Sequence, residues 1–399
     1  MLALEETPHD ILPVSLYPIV PEAADYRPGP GRNHPDVWGG LATGRGVKSA
    51  ARDPLTSVIL RARGHLLLKL LGSIEQLSYG GSTDISAPAM TDKAPSLVIY
   101  GATGFVGSAI LAALRARNNP YLGFGSRAAV RWEPGATCHT EDCAPSDRLA
   151  LLSTLSPPKA VIFVAGRGTT TGDFESLQNE HLEILRGAIT SIPPQWHPKP
   201  RFLYASSALV YGRRSPGALA LKECDPALPS SDYGKIKLQS EELLSNWAKQ
   251  TGTVAVSARL FNLAGIGQKN GIVVDVARQA ADIQSGARTA FRLRSNRPIL
   301  DISDVGEAAE ALLLLAEIEA PPQVLNICSG RPLTTADLIR AARDHIGRNA
   351  EVSYENNEAP SEALVGDPKL ICELTGWRAH KSIKAIIGEM ISQTQVAGA

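Results

Sequence analysis

Ser96-Leu-Val-Ile-Tyr-Gly-Ala-Thr-Gly-Phe-Val-Gly107 joins a strand, a turn and the start of a helix. The apolar run at 97–100 has the length and composition of a strand buried on both faces. Gly101, Gly104 and Gly107 then turn the chain, and Ser108-Ala-Ile-Leu-Ala-Ala-Leu-Arg115 spaces its apolar residues as a helix does. A turn without side chains lets the backbone come close to a pyrophosphate, and the free N–H groups at a helix start favour the negative charge placed there. The glycines alone also fit an ordinary strand-to-helix connection. The strand before them and the helix after them point to a dinucleotide.

Outward from this stretch, short apolar runs alternate with longer helical ones. Strands are expected at 97–100, 121–124, 160–164, 201–205 and 254–260, and helices at 106–117, 147–155, 174–192 and 233–250. Such alternation is the pattern of a parallel sheet covered by helices, an α/β fold. No internal repeat is present. Residues 1–94 have a different texture. Tyr26-Arg-Pro-Gly-Pro-Gly-Arg-Asn-His-Pro35 is dense in residues that break helices and strands, and 54–77 is the one well-patterned element there, an amphipathic helix. That helix carries Arg61, Arg63, His65, Lys69 and Glu75, too many charges for a membrane span. It reads as a helix packed on the main domain, with docking to a partner or a membrane surface as the alternative. Residues 80–94 read as a flexible linker.

Composition narrows the function classes. The chain has 399 residues, 40 Lys+Arg against 40 Asp+Glu, and 44% hydrophobic residues, so it is globular and electrically balanced. It lacks the basic excess that phosphate-backbone binding needs, and nucleic acid is not an expected partner. The 5 cysteines are odd in number and scattered, which suits a reducing compartment. Cys138, His139 and Cys143 lie close together, yet no second ligand pair follows at zinc-site spacing, so no metal is expected. Glu5, Glu6 and Asp10 precede any apolar run, unlike the basic start of a secretory signal, and a cytoplasmic location is expected.

The second strand runs into Phe124-Gly-Ser-Arg127, where an acid would serve a free ribose 2′-hydroxyl. An arginine there suits a 2′-phosphate, which a guanidinium holds through paired charge-assisted bonds. NADP is the cofactor this favours, with NAD as the alternative, and Arg127 as a solvated loop residue is the plainer reading. Further on, Arg201-Phe-Leu-Tyr-Ala-Ser-Ser-Ala-Leu-Val-Tyr-Gly212 runs a strand into two serines, and Tyr233-Gly-Lys-Ile-Lys237 opens a helical stretch. Tyr233 and Lys237, four apart, share a helix face, where the ammonium is expected to favour the phenolate. Tyr233 is then a proton donor or acceptor, and Ser207 a hydrogen-bonding partner for a substrate oxygen. A surface Tyr/Lys pair is the bland alternative; the order of the glycine turn, serine strand and Tyr/Lys pair argues against it.

Taken together these residues resemble the extended short-chain dehydrogenase/reductase family, in its nucleotide-sugar epimerase, dehydratase and reductase branch. The resemblance runs from 96 to about 390 and includes Arg259-Leu-Phe-Asn-Leu-Ala-Gly265, Arg297-Pro-Ile-Leu-Asp-Ile-Ser-Asp-Val305, Asn326-Ile-Cys-Ser-Gly330, Asp367-Pro-Lys369 and Leu374-Thr-Gly-Trp377. It implies a Rossmann-type doubly wound parallel sheet over 95–266. A smaller substrate-binding lobe at 267–399 would thread back into that sheet near 298–330, and a mostly irregular extension would precede both at 1–94. Gly101, Gly104 and Gly107, with Thr103, Phe105 and Val106 between them, would line the dinucleotide pyrophosphate. Asp142 would meet the adenine, and Ala165 and Gly166 would flank the cofactor. The resemblance makes Ser207, Tyr233 and Lys237 the catalytic group, with Lys237 also bonding the nicotinamide ribose. It places Asn262 and Arg297 on the diphosphate of the substrate nucleotide, and a homodimer is one assembly it allows.

Several residues depart from the family pattern. Ser207 is followed by Ala208 and Leu209, not by the acidic pair of the dehydratases, which argues against 4,6-dehydration of the sugar. Residues 358–365 lack an arginine that often clamps the second phosphate charge, and Ile236 stands where serine is common. The expected function is an NAD(P)-dependent epimerase or ketoreductase that moves a hydride at a sugar carbon, with Tyr233 as general acid or base. Reduction of a non-sugar carbonyl compound, or dinucleotide binding without catalysis, are the alternatives.

Overall fold

A computed structural model describes residues 95–125, 144–166, 173–218 and 220–398, and the backbone of 137–139. The expected helix at 54–77, the linker, Arg127, Asp142 and Cys143 lie outside the described residues.

The quoted stretch forms what its pattern dictates. Leu97–Tyr100 (β1) is buried along its whole length and pairs in parallel with Tyr121–Gly125 (β2) on one side and Ala160–Phe163 (β4) on the other. Phe105–Ala116 (α1) follows the glycine turn. Thr137–His139 (β3), Arg201–Ser207 (β5), Ala255–Leu260 (β6) and Val324–Ile327 (β10) complete a seven-stranded sheet in the order β10-β6-β5-β4-β1-β2-β3. Every pairing in it is parallel. The strand order reverses between β1 and β4, and the crevice beyond their carboxyl ends is where open α/β sheets bind ligands.

Alternate residues of β1 feed two cores. Leu97 and Ile99 face Ile110 and Leu114 of α1 and Leu312 and Leu315 of Val305–Glu317 (α6). Val98 and Tyr100 face the other way, into an aromatic layer with Phe124, Phe163, Phe202 and Tyr204. That layer is covered by Leu185 of Phe174–Thr190 (α3) and Leu244 of Asp232–Thr251 (α4). Pro145–Leu152 (α2) lies between β3 and β4 in the chain.

Beyond β6 the chain builds a second layer. Asn262–Ala264 (β7) pairs in parallel with Pro298–Asp304 (β9), which also carries Pro332–Thr334 (β11) antiparallel and Glu362–Leu364 (β13) parallel. Ala290–Ser295 (β8) pairs with Glu351–Asn356 (β12). Ile272–Ser285 (α5), Thr335–Ile346 (α7) and Ile383–Gly398 (α9) share one apolar core with these strands, and Lys369–Thr375 (α8) precedes α9. Of the segment expected to rejoin the main sheet near 298–330, β10 and α6 do so, while β9 belongs to the second sheet. β10 lies at the edge of the main sheet, paired in parallel with β6, whereas β9 pairs with β7, β11 and β13.

Candidate active site

At the carboxyl end of β1 the glycines are required by geometry. Gly101 has φ +84°, and a Cβ there would stand 2.6 Å from the backbone nitrogen of Ala165, so the turns after β1 and β4 touch backbone to backbone. A Cβ on Gly107 would stand 2.0 Å from the carbonyl oxygen of Gly101, which seats the first turn of α1 against the loop. The turn is held by Gly101 N and Ala102 N, both donating to Phe124 O at 2.8 Å. α1 starts at Gly104 with no side-chain cap and no acid in its first turn, which leaves that end suited to an anion from outside the helix. Thr103 stands over Gly125, where a Cβ would meet its Oγ1 at 2.5 Å, so β2 ends against the same turn. Phe105 and Val106 are half-buried in that first turn. A tight glycine loop, an uncapped helix start and a strand-order reversal together fit a dinucleotide pyrophosphate.

The second half of the site comes from β5 and α4. Ser207 ends β5, and its Oγ accepts from Leu209 N at 3.2 Å, capping the single 3-10 turn Ala208–Tyr211. α4 opens with Ser231 as its cap, accepting from Gly234 N at 3.2 Å. A Cβ on Gly234 would lie 2.5 Å from Leu209 O, so glycine lets the first turn of α4 sit on the turn that follows Ser207. This brings Tyr233 beside the Ser207 segment. Lys237, one turn later, is buried and donates from Nζ to Ala205 O at 2.9 Å. Its Nζ lies 4.8 Å from the Tyr204 ring centre and 5.6 Å from that of Tyr233.

Electrostatics here run against the expected direction. Burial pushes the Tyr233 phenol up to about 12, whereas the helical spacing to Lys237 was expected to favour the phenolate. Burial also pushes the Lys237 amine down to about 8, against the opposing pull of Glu241. Desolvation is the cause that sets the Tyr233 phenol, with the Lys237 amine 5.6 Å from its ring centre. In this state the phenol carries its proton at neutral pH.

Three residues not singled out in the sequence crowd this group. His181 of α3 is buried, meets the Tyr233 ring edge-on with centroids 5.9 Å apart, and fills the space where a Cβ on Gly166 would lie. Glu241 and Arg259 form a buried ion pair behind Lys237. The signal for them was present in the pattern. His181 sits between Leu177 and Leu185 on the buried stripe of α3, and Lys237, Ser240 and Glu241 occupy the stripe of α4 that ends at Leu244. Polar groups on an apolar stripe need a reason.

The two residues expected to hold a substrate diphosphate stand in β7 and just before β9. Asn262 donates from Nδ2 to Asp301 O at 3.2 Å. Arg297 donates from Nε to Ser361 Oγ at 2.9 Å and lies near two carboxylates, Glu358 at 3.4 Å and Glu362 at 3.7 Å. Glu362 is also 3.1 Å from Arg213, so the segment that lacks the family's arginine supplies acids instead.

Residues 97–328, more than half of the chain, match the model of the NAD dependent epimerase/dehydratase family. The chain belongs to that family. It is similar to GDP-6-deoxy-D-mannose reductase of Pseudomonas aeruginosa, 29% identical over 310 residues that cover 74% of this chain and 96% of the relative. It is also similar to dTDP-6-deoxy-L-talose 4-dehydrogenase (NAD(P)(+)) of Kitasatospora kifunensis, at 24% identity, 74% of this chain and 95% of the relative. Among solved structures, the RMD protein of Pseudomonas aeruginosa complexed with NADPH superposes with TM-score 0.64 at 25% identity, covering 76% of this chain and 99% of that one. The UDP-glucose 4-epimerase of Thermus thermophilus in complex with NAD shares the fold, with TM-score 0.63 at 21% identity over 75% and 99% of the two chains. The family member is thus an enzyme of the NAD(P)-dependent epimerase and reductase type, in which the glycine turn at 101–107 fits a nicotinamide dinucleotide. No helix among the described residues is long and apolar enough to cross a membrane.

Proposed function

We propose that the chain is a ketoreductase or epimerase of a nucleotide-linked sugar, with Ser207, Tyr233 and Lys237 as its catalytic group and NADP as the favoured cofactor. The observation that carries the reading is the seating of Tyr233 on the Ser207 turn through Gly234, with Lys237 buried one turn behind it. The relatives named as reductase and dehydrogenase of nucleotide sugars support the substrate class.

The bound dinucleotide supplies or accepts hydride at a substrate carbon; the chain handles the oxygen. A phenol held near 12 is protonated at neutral pH, so Tyr233 serves as the donor that a carbonyl oxygen needs as it becomes a hydroxyl. Its proton goes to that oxygen, and the phenolate left behind is stabilised by the Lys237 ammonium. Ser207 Oγ is an acceptor toward Leu209 N, which leaves its own hydroxyl proton to donate to the same substrate oxygen and set its distance. In the reverse direction Tyr233 must first lose its proton, which burial opposes. Reduction and oxidation run through the same phenol and phenolate, and the relatives that are UDP-glucose 4-epimerases support epimerisation as the companion outcome of this chemistry.

A second reading draws on Arg297. Its guanidinium is met by Glu358, Glu362 and Ser361, which lessens its value to a diphosphate and favours a carbonyl substrate without one. A panel of nucleotide-linked keto sugars and hydrophobic ketones, followed by consumption of NADPH, separates the two. Turnover confined to the nucleotide-linked compounds supports the first reading. Turnover confined to the ketones replaces it with the second.

A further inference from the structure

α4 carries on its buried face a carboxylate that the proposed chemistry does not use. Glu241 lies one turn beyond Lys237, and both oxygens are engaged: Arg259 donates from Nε to Oε1 at 3.0 Å and from Nη2 to Oε2 at 2.7 Å, and Ser206 Oγ bonds Oε1. The side chains of the pair are 6% and 8% exposed. Arg259 is itself fixed, its guanidinium 4.6 Å over the Tyr211 ring, while Tyr211 Oη donates to Asn326 Oδ1 at 2.8 Å. A buried ion pair is weak ground for stability, because desolvation offsets most of the attraction. Its placement has a more specific consequence. Lys237 grips the carbonyl of Ala205 and Glu241 grips the hydroxyl of Ser206, so two side chains of one helix face hold the two residues just before Ser207.

Among the described residues, the charged and titratable groups around Lys237 are few. Tyr233 and Glu241 face it from its own helix, and Tyr204 faces it from β5. Arg259 of β6 pairs with Glu241, and His181 of α3 meets the Tyr233 ring edge-on. Among these Glu241 is the one carboxylate.

We infer that Glu241 is a positioning residue for the catalytic group: by holding Ser206, as Lys237 holds Ala205, it fixes the register of α4 on β5 and places a carboxylate on the same buried helix face as the Lys237 amine that bonds the dinucleotide ribose. The inference rests on the role proposed above for Lys237. Burial alone would drive the amine lower than the about 8 at which it stands, and Glu241 acts in the opposite direction.

The test is the pH dependence of NADPH affinity in the full-length protein, read by fluorescence titration. In the wild type, affinity falls as pH rises through the Lys237 midpoint. In Glu241→Gln the fall is displaced to lower pH by about one unit, which gives about five-fold weaker binding at the wild-type midpoint and equal binding well below it. Glu241→Gln leaves Arg259 as a buried cation and can unfold the protein. The paired variant Glu241→Leu/Arg259→Met removes both charges in apolar form and is expected to shift the midpoint the same way by a smaller amount. Lys237→Met serves as the control, losing affinity at neutral pH and the pH dependence together. If Lys237→Met does so but the wild-type midpoint persists in the folded Glu241 variants, the pair is structural only and the inference fails alone. If Lys237→Met binds NADPH as the wild type does, the proposed role of Lys237 falls, and the inference with it.

Discussion

At Lys237 the cost of burial is large enough to be read in stability. Unfolded, the amine keeps its ordinary 10.5; folded, burial lowers it to about 8. Between these values the unfolded chain binds the proton and the folded chain does not, so the contribution of this group to stability rises with pH across that window. Below about 8 the folded protein holds a buried ammonium, tied to Ala205 O. Lys237→Met is therefore expected to melt at a higher temperature than the wild type at pH 7, with the gain shrinking between about 8 and 10.5. Melting curves at the two ends check it, and a gain that does not change with pH contradicts the assignment. The helical spacing of Tyr233 and Lys237 was readable in the chain, but the balance of desolvation over attraction was not. That balance depends on how deeply α4 sits against β5 and on the 5.6 Å between Nζ and the ring, which no local pattern states. At the cofactor's adenosine end, Arg127 and the missing acid predict tighter binding of NADPH than of NADH. Parallel titrations decide it, and equal or reversed affinities would remove the preference for NADP.

Among the elements, the glycine turn was the most legible, because each glycine answers a local demand. β1 was read at 97–100 and stands there, the helix after it was read at 106–117 and spans Phe105–Ala116, and α4 was read at 233–250 and spans Asp232–Thr251. Such elements carry their own period, caps and breakers, as with Gly252 closing α4 in the left-handed conformation. The strands of the second sheet were less legible. β7, β11 and β13 are three residues each, too short for alternation to show, and they exist because β9 offers them an edge. Gly107→Ala puts the element reading to work. With 2.0 Å between the new Cβ and Gly101 O, the loop or α1 must shift. NADPH affinity is expected to fall at least ten-fold, about 1.4 kcal/mol, with the fold retained in circular dichroism. Unchanged affinity would mean that the turn does not approach the pyrophosphate.

Across the whole molecule the two layers are stitched together by elements far apart in the chain. α6 follows β9 of the second sheet, yet Leu312 packs with Ile99 and Ile110 in the core of the main sheet, and β10 then enters that sheet beside β6. A cut in the chain near 267 therefore does not separate two independent cores. Leu312→Ala, at a fully buried position, is expected to cost about 2–5 kcal/mol and to lower one shared unfolding transition. Calorimetry that shows two transitions, with only one moved, would contradict the interleaving. Ser207 on β5 and Tyr233 on α4 belong to the main layer, and Asn262 on β7 and Arg297 just before β9 to the second. The proposed reaction requires the phenol of Tyr233 to move the proton. The direct measurement is NADPH consumption with a nucleotide-linked keto sugar that the wild type reduces, made side by side on Tyr233→Phe with NADPH affinity measured on both. The predicted result is a kcat lower by about 10²–10⁴ at nearly unchanged NADPH affinity, since the ring and its edge-on contact with His181 survive and only the hydroxyl is lost. Full activity in Tyr233→Phe would contradict it.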